Sequence, residues 1–220
     1  MKLLYSLIAI LLVTVTSVAQ NGLYVKYETD VSASTDEGEM MGMMMDGTTM
    51  ELAMSEERTW VKTQMGTMMT MTMQHDTKTE EMKMLMTGMM GKMAFQGNPD
   101  VLEEEAEAVA AEVDLKFFDQ TKMILGQECK KAVITSAEGN ETIFWYTEKF
   151  DRPEGLKQMP NQIPGLCLEM EVPVQEGVLI KYTAIELKNN TVIDQYTLEF
   201  PEGTEVKSLE EMATMGVGGK

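Results

Sequence analysis

The chain has 220 residues and a formal net charge of -18, with 18 Lys and Arg against 36 Asp and Glu. Such an excess of acid excludes nucleic acid and anionic membrane surfaces as expected partners and fits a solvated, solubilising exterior. About two hundred residues are enough for one domain with a sizeable core.

The first residues read as a leader. Met1-Lys2 precedes an apolar run from Leu3 to Val13, and Ser17-Val18-Ala19 supplies the small residues of a cleavage site. Residues 1–19 are therefore expected to be a secretory signal peptide, with the remaining chain exported to the periplasm or beyond and soluble. No cysteine sits at the junction to carry a lipid, and no later run is long and apolar enough to span a bilayer. A single antiparallel β domain is expected over 20–206, followed by a C-terminal tail over 207–220.

Alternation begins at once. Leu23, Val25, Tyr27 and Val31 share one face of a predicted strand, with Lys26, Glu28 and Asp30 on the other. Next comes the strongest compositional feature: eighteen of the 24 methionines fall between Met40 and Met93, one residue in three across that stretch. The two-residue period persists there in Met50, Leu52, Met54, in Met69, Met71, Met73 and in Met82, Met84, Met86. Methionine thus marks one face of several strands, where its unbranched, flexible side chain suits an adaptable apolar wall. The candidate ligand-binding residues are Met69, Met71, Met73, Met82, Met84 and Met86, with Trp60 and Trp145 at the mouth of a pocket or else in the core.

A second chemistry is open to the same residues. Thioethers are soft ligands that suit Cu(I) or Ag(I). Met40, Met41, Met43, Met44 and Met45 could wrap such an ion if glycines 38, 42 and 47 make the segment a loop, with His75 following. Met69, Met71 and Met73 stand about 7 Å apart along one strand and look more like a wall than a cage. The single histidine argues against zinc or Cu(II), which favour imidazole. No resident cofactor is expected.

Helix is predicted over 100–114, where Asp100 can cap the N-terminus and Leu102, Ala106, Val109 and Val113 share a face. That stripe would close over a curved sheet as a lid or pack outside it. Further strands are predicted at 129–136, 142–148, 166–172, 178–187 and 191–200. Polar turns at 138–140, 175–177 and 188–190 join them into an antiparallel meander. Cys129 and Cys167 fall in two of these strands and form a disulfide or stay as separate buried thiols. Pro164-Gly165 predicts a type II turn that aims the strand carrying Cys167. Hydrolase, phosphate-loop and zinc-protease signatures are absent, and the chain is not expected to be an enzyme.

Three segments carry a family resemblance. The run from Thr121 to Lys131, then Phe144-Trp145-Tyr146-Thr147, then Ile163-Pro164-Gly165-Leu166 resembles the family called domain of unknown function 4412, and Leu85 to Lys92 resembles that family's middle segment. Ile163 to Leu166 is also similar to the core of the related GLPGLI family, from which Gln162, Ile163 and Cys167 depart. The resemblance implies an architecture similar to the lipoprotein carrier LolA, an unclosed β-barrel whose concave face holds acyl chains. The fold class expected is therefore mainly β: an antiparallel curved sheet or unclosed barrel with one or two short helices. The function expected is that of a carrier for an apolar ligand such as a lipid or acyl chain. The alternatives are a Cu(I)- or Ag(I)-binding envelope protein, or an envelope protein that only contacts other proteins.

Overall fold

A computed structural model describes residues 21–89, 91–100, 114–151, 162–175 and 177–217. The expected signal peptide and the helix predicted over 100–114 lie outside these residues, but for Asp100 and Asp114.

Among the described residues twelve strands form one unclosed sheet. They are β1 (Asn21–Ala33), β2 (Thr49–Met54), β3 (Arg58–Met65), β4 (Met69–Asp76), β5 (Glu81–Gly88), β6 (Gly91–Gly97), β7 (Asp114–Ile124), β8 (Gln127–Thr135), β9 (Glu141–Thr147), β10 (Leu166–Gln175), β11 (Val178–Val192) and β12 (Val206–Ser208). Their order in the sheet is β12-β6-β5-β4-β3-β2-β1-β11-β10-β9-β8-β7. All neighbours are antiparallel except β12, which lies parallel to β6 with Val206 opposite Ala94. The expected single meander is thus two, β1 to β6 and β7 to β11, joined where β1 pairs with β11.

Two predicted features between residues 188 and 200 give way to this seam. No turn forms at 188–190, because β11 continues to Val192 to pair with Asn21 at the start of β1. The extra length is absorbed by register shifts and by Asn190, which takes a positive φ of 58°. In place of a strand over 191–200, the chain leaves the sheet through a 3-10 turn, Ile193–Gln195.

Helix α1 (Asp36–Met45) occupies the segment that would have to be a loop to wrap a metal ion. Thr35 caps it by accepting a hydrogen bond from the Gly38 N–H at 3.1 Å, and Asp36 lies in the first turn, where acid favours the positive end of the helix dipole. Its glycines serve close packing. A side chain at Gly38 would meet Val178 Cγ2 at 2.6 Å, and Gly42 rests against Val31.

Within the expected tail, residues 207–217 are structured. Ser208 Oγ accepts from the Glu211 N–H at 3.2 Å and starts α2 (Leu209–Val217), whose Leu209 is fully buried against Met82, Met84 and Phe95. Ser208-Leu209-Glu210-Glu211 is a capping-box sequence.

The largest core lies on one sheet face across the seam. It contains Val25, Tyr27, Met50, Leu52 and Val61 from one side, with Phe144, Leu166, Leu168, Met170 and Ala184 from the other. The opposite face carries a smaller cluster of Tyr24, Ala53, Trp60 and Ile193.

Cys129 and Cys167 are both buried, and no disulfide joins them. The reason is topological. They sit on β8 and β10 with β9 between them, two strand spacings or roughly 9–10 Å apart, beyond the Cα separation a disulfide tolerates. Burial pushes the Cys129 thiol up to about 11, a shift that the nearby Lys122 charge partly offsets.

Gly165 takes a φ of +127°, as the Pro-Gly reading requires of its glycine, but its N–H reaches the Ile163 carbonyl two residues back at 3.1 Å. The bond is shorter in sequence than that of a type II turn. A Cβ here would lie 2.3 Å from the Thr147 carbonyl oxygen. Gly165→Ala is therefore expected to lower unfolding stability by about 2 kcal/mol or more, read from urea melts; an unchanged midpoint would refute the steric account. For Cys129 the folded pKa stands above the unfolded one. Its contribution to stability should be complete below the ordinary thiol pKa of 9.0 and fade as pH rises through about 11. In the folded protein at pH 8 it should resist a thiol reagent, with modification following only on unfolding; rapid labelling of the native state would contradict this.

Candidate functional site

Strand register places the methionines. Side chains alternate between faces, and residues directly opposite on neighbouring strands share one. Three rows cross β1 to β6 on a single face. The first is Leu23, Met54, Thr59, His75, Met82 and Gly97; the second is Val25, Leu52, Val61, Met73, Met84 and Phe95; the third is Tyr27, Met50, Thr63, Met71, Met86 and Met93. Met65 and Met69 extend the same face one step further. All six candidate methionines are brought together here.

Their environments differ. Met82 and Met84 are buried, at 3% and 7% exposure, in a cluster with Phe95 and Leu209 of α2. Met69, Met71, Met73 and Met86 are half-buried, as are Met54 and Met93. The buried pair is core beneath α2, and the half-buried set is the part of the face that packing leaves incomplete. Met54 and Met93 were legible from the same alternation. The part played by Leu209 and Met212 depends on the docking of α2, which no local pattern encodes.

Neither tryptophan stands in these rows. Trp60 stands opposite Ala53 and Gln74, while its neighbour Val61 stands opposite Leu52 and Met73. It packs on Tyr196, with ring centroids 5.2 Å apart, and Tyr196 stacks on Tyr24 at 5.4 Å. Trp145 stands opposite Lys131 and Glu169, whereas Phe144 stands opposite Ala132 and Met170 of the core. Lys122 Nζ lies 4.3 Å from the Trp145 ring centroid. The same ammonium is 2.6 Å from Glu169 Oε1, and Lys181 Nζ reaches that oxygen at 3.0 Å. The hydrogen bond to Glu169 raises Lys181 above the ordinary lysine value. Trp145 therefore borders a polar cluster built around a buried carboxylate, and its half-buried ring also packs against the main core.

The Met40 to Met45 cage is also corrected. In α1 the residues spiral, so Met40, Met43 and Met44 face solvent at 65%, 78% and 49% exposure while Met41 and Met45 are half-buried. His75 is remote from them. The end of α1 lies beside the β3–β4 turn, where a Cβ on Gly66 would be 3.4 Å from the Met44 carbonyl. His75 is six residues along β4 from Met69 at that turn, or about 20 Å.

Among the described residues no group of three His, Cys, Asp or Glu side chains could hold a metal ion, and no helix is long and apolar enough to cross a membrane. An open cleft lined by Ser32, Ser34, Asn140 and Gly177 lies beside the β10–β11 turn. None of its lining residues belongs to the methionine rows.

No family model matches this chain, and no curated protein matches it. Among solved structures, it is similar to PNGF-II, with 18% identity over 89% of this chain and a TM-score of 0.49; the match spans 33% of the PNGF-II chain. MucB is similar at 12% identity over 82% of this chain and 58% of its own, with a TM-score of 0.39. A beta-barrel-like protein of domain of unknown function 1849 from Brucella abortus matches at 8% identity over 78% of this chain and 99% of its own, with a TM-score of 0.37. A LolA superfamily protein from Nitrosomonas europaea matches at 10% identity over 81% of this chain and 91% of its own, with a TM-score of 0.21.

Proposed function

We propose that this chain is an exported, non-enzymatic binding protein for an apolar ligand of the acyl-chain class, held on the methionine face of β2 to β6. The observation that carries the reading is the division of that face. Met82 and Met84 are packed beneath α2, whereas Met54, Met71, Met73, Met86 and Met93 around them are half-buried. Unbranched thioether side chains change shape at low cost, so a half-filled methionine wall can close over apolar chains of differing length. The registered rows of this wall carry no Asp, Glu, Lys or Arg. Lys62, Lys83 and Glu51 alternate onto the opposite face, which leaves the wall free of charge that an acyl chain would have to desolvate.

Variants at the two kinds of position separate binding from folding. Met71→Glu and Met86→Glu place a carboxylate on the half-buried part, and each should weaken uptake of a fluorescent apolar probe by about a hundredfold while the protein stays folded. Met84→Glu should instead destabilise the fold by about 3 kcal/mol or more, visible in thermal melts, because its charge would be buried without a partner. If Met71→Glu and Met86→Glu bind the probe as the parent does, the wall is not the ligand site.

A further inference from the structure

Within the methionine face, β4 and β5 bring four donor side chains into one block. His75 stands directly opposite Met82, and two residues along Met73 stands directly opposite Met84. Directly opposed residues have Cβ atoms about 5 Å apart. Alternate residues on one strand are separated by about 7 Å. The block is thus a rectangle small enough for the flexible thioethers and the imidazole to reach a common centre above it. Spacing along one strand alone would not allow this.

Three features of the block bear on what it could hold. His75 Nδ1 is buried and has no hydrogen-bond partner among the described residues, a state that costs free energy unless another group occupies it. Met82 and Met84 are buried and Met73 packs against the same cluster, so bulk water has little access to the centre. The flanking residues in the same rows are Thr59 and Val61 on β3 and Gly97 and Phe95 on β6, none of them charged. Asp76 and Glu81 follow in the next register step and alternate onto the other face.

The geometry points to a soft monovalent metal site, for Cu(I) or Ag(I), formed by His75, Met73, Met82 and Met84. Three thioethers and one imidazole are a soft donor set without carboxylate or thiolate, which disfavours calcium, magnesium and structural zinc. Neutral donors holding a single positive charge also leave the smallest net charge in this apolar surrounding, which limits the desolvation penalty. The site uses side chains on β4 and β5 and none of the exposed methionines of α1.

Titrating the purified protein with Ag(I), while following methionine methyl and histidine ring resonances, tests the assignment without any substitution. The resonances of Met73, Met82, Met84 and His75 should move together and saturate at one equivalent. Shifts confined to Met40, Met43, Met44 or Met89, or no saturable shift, would overturn it. A second arm uses Cu(I) under anaerobic competition with a chromophoric chelator. Met73→Leu with Met82→Leu keeps apolar bulk but removes sulfur, and should weaken Cu(I) by at least the roughly tenfold that follows loss of even outer-sphere support. Met40→Leu with Met43→Leu should leave it unchanged. Equal affinity in both pairs would refute the site. Apolar-probe uptake is measured on the unsubstituted protein alongside the metal titration, so failure of metal binding and failure of the carrier reading are read separately.

Discussion

The pairing of β1 with β11 holds the two halves of the sheet together. One strand of 13 residues and one of 15 run antiparallel from Asn21 opposite Val192 to Ala33 opposite Val178. Without that seam the chain would be two separate meanders, each with an open edge of unpaired backbone groups. Tyr27 locks it from inside. The phenol is fully buried and donates to the Cys167 carbonyl oxygen at 2.7 Å, one strand beyond the seam. Burial raises its pKa well above the ordinary 10.0, which keeps it a neutral donor. The seam's register also decides that the methionine face and the core of Phe144 and Met170 are continuous.

The two halves fill that common face with different chemistry. On β8 to β10 the core is built from Ala132, Ile134, Phe144, Leu166 and Leu168, whose shapes favour fixed packing. On β4 to β6 the same layer is mostly methionine, with Phe95 and Leu209 at its buried centre. Methionine's three rotatable bonds specify a packing arrangement weakly and tolerate several. The proposed acyl-chain wall and the proposed metal block both draw on this flexibility. The carrier reading uses the half-buried margin of the wall, and the metal reading uses a four-residue block that shares Met73 with that margin and takes Met82 and Met84 from the buried part.

Much of the sheet was legible because its strands alternate cleanly. Met69-Thr70-Met71-Thr72-Met73 and Met82-Lys83-Met84 disclose both strand and face from period alone, and β8 to β11 begin within a few residues of their predicted starts. Local signals failed where distant contacts decide the outcome. Gly38 and Gly42 look like loop residues until Val178 and Val31 lie against them. Lys188-Asn189-Asn190 has turn composition, but pairing with the first residues of β1 keeps it extended. Trp60 and Trp145 could not be assigned to a face without the register of β3 and β9. The capping box at Ser208 and the Thr35 cap of α1 are missed signals that were present locally, hidden by the short length of the helices they begin.

Native mass spectrometry of the protein purified without reductant from the cells that make it, compared with its denatured mass, tests the carrier account most directly. The account predicts a heterogeneous mass increment of acyl-chain size that denaturation releases and that Met71→Glu removes. A native mass equal to that of the bare chain, unchanged by denaturation, would contradict it.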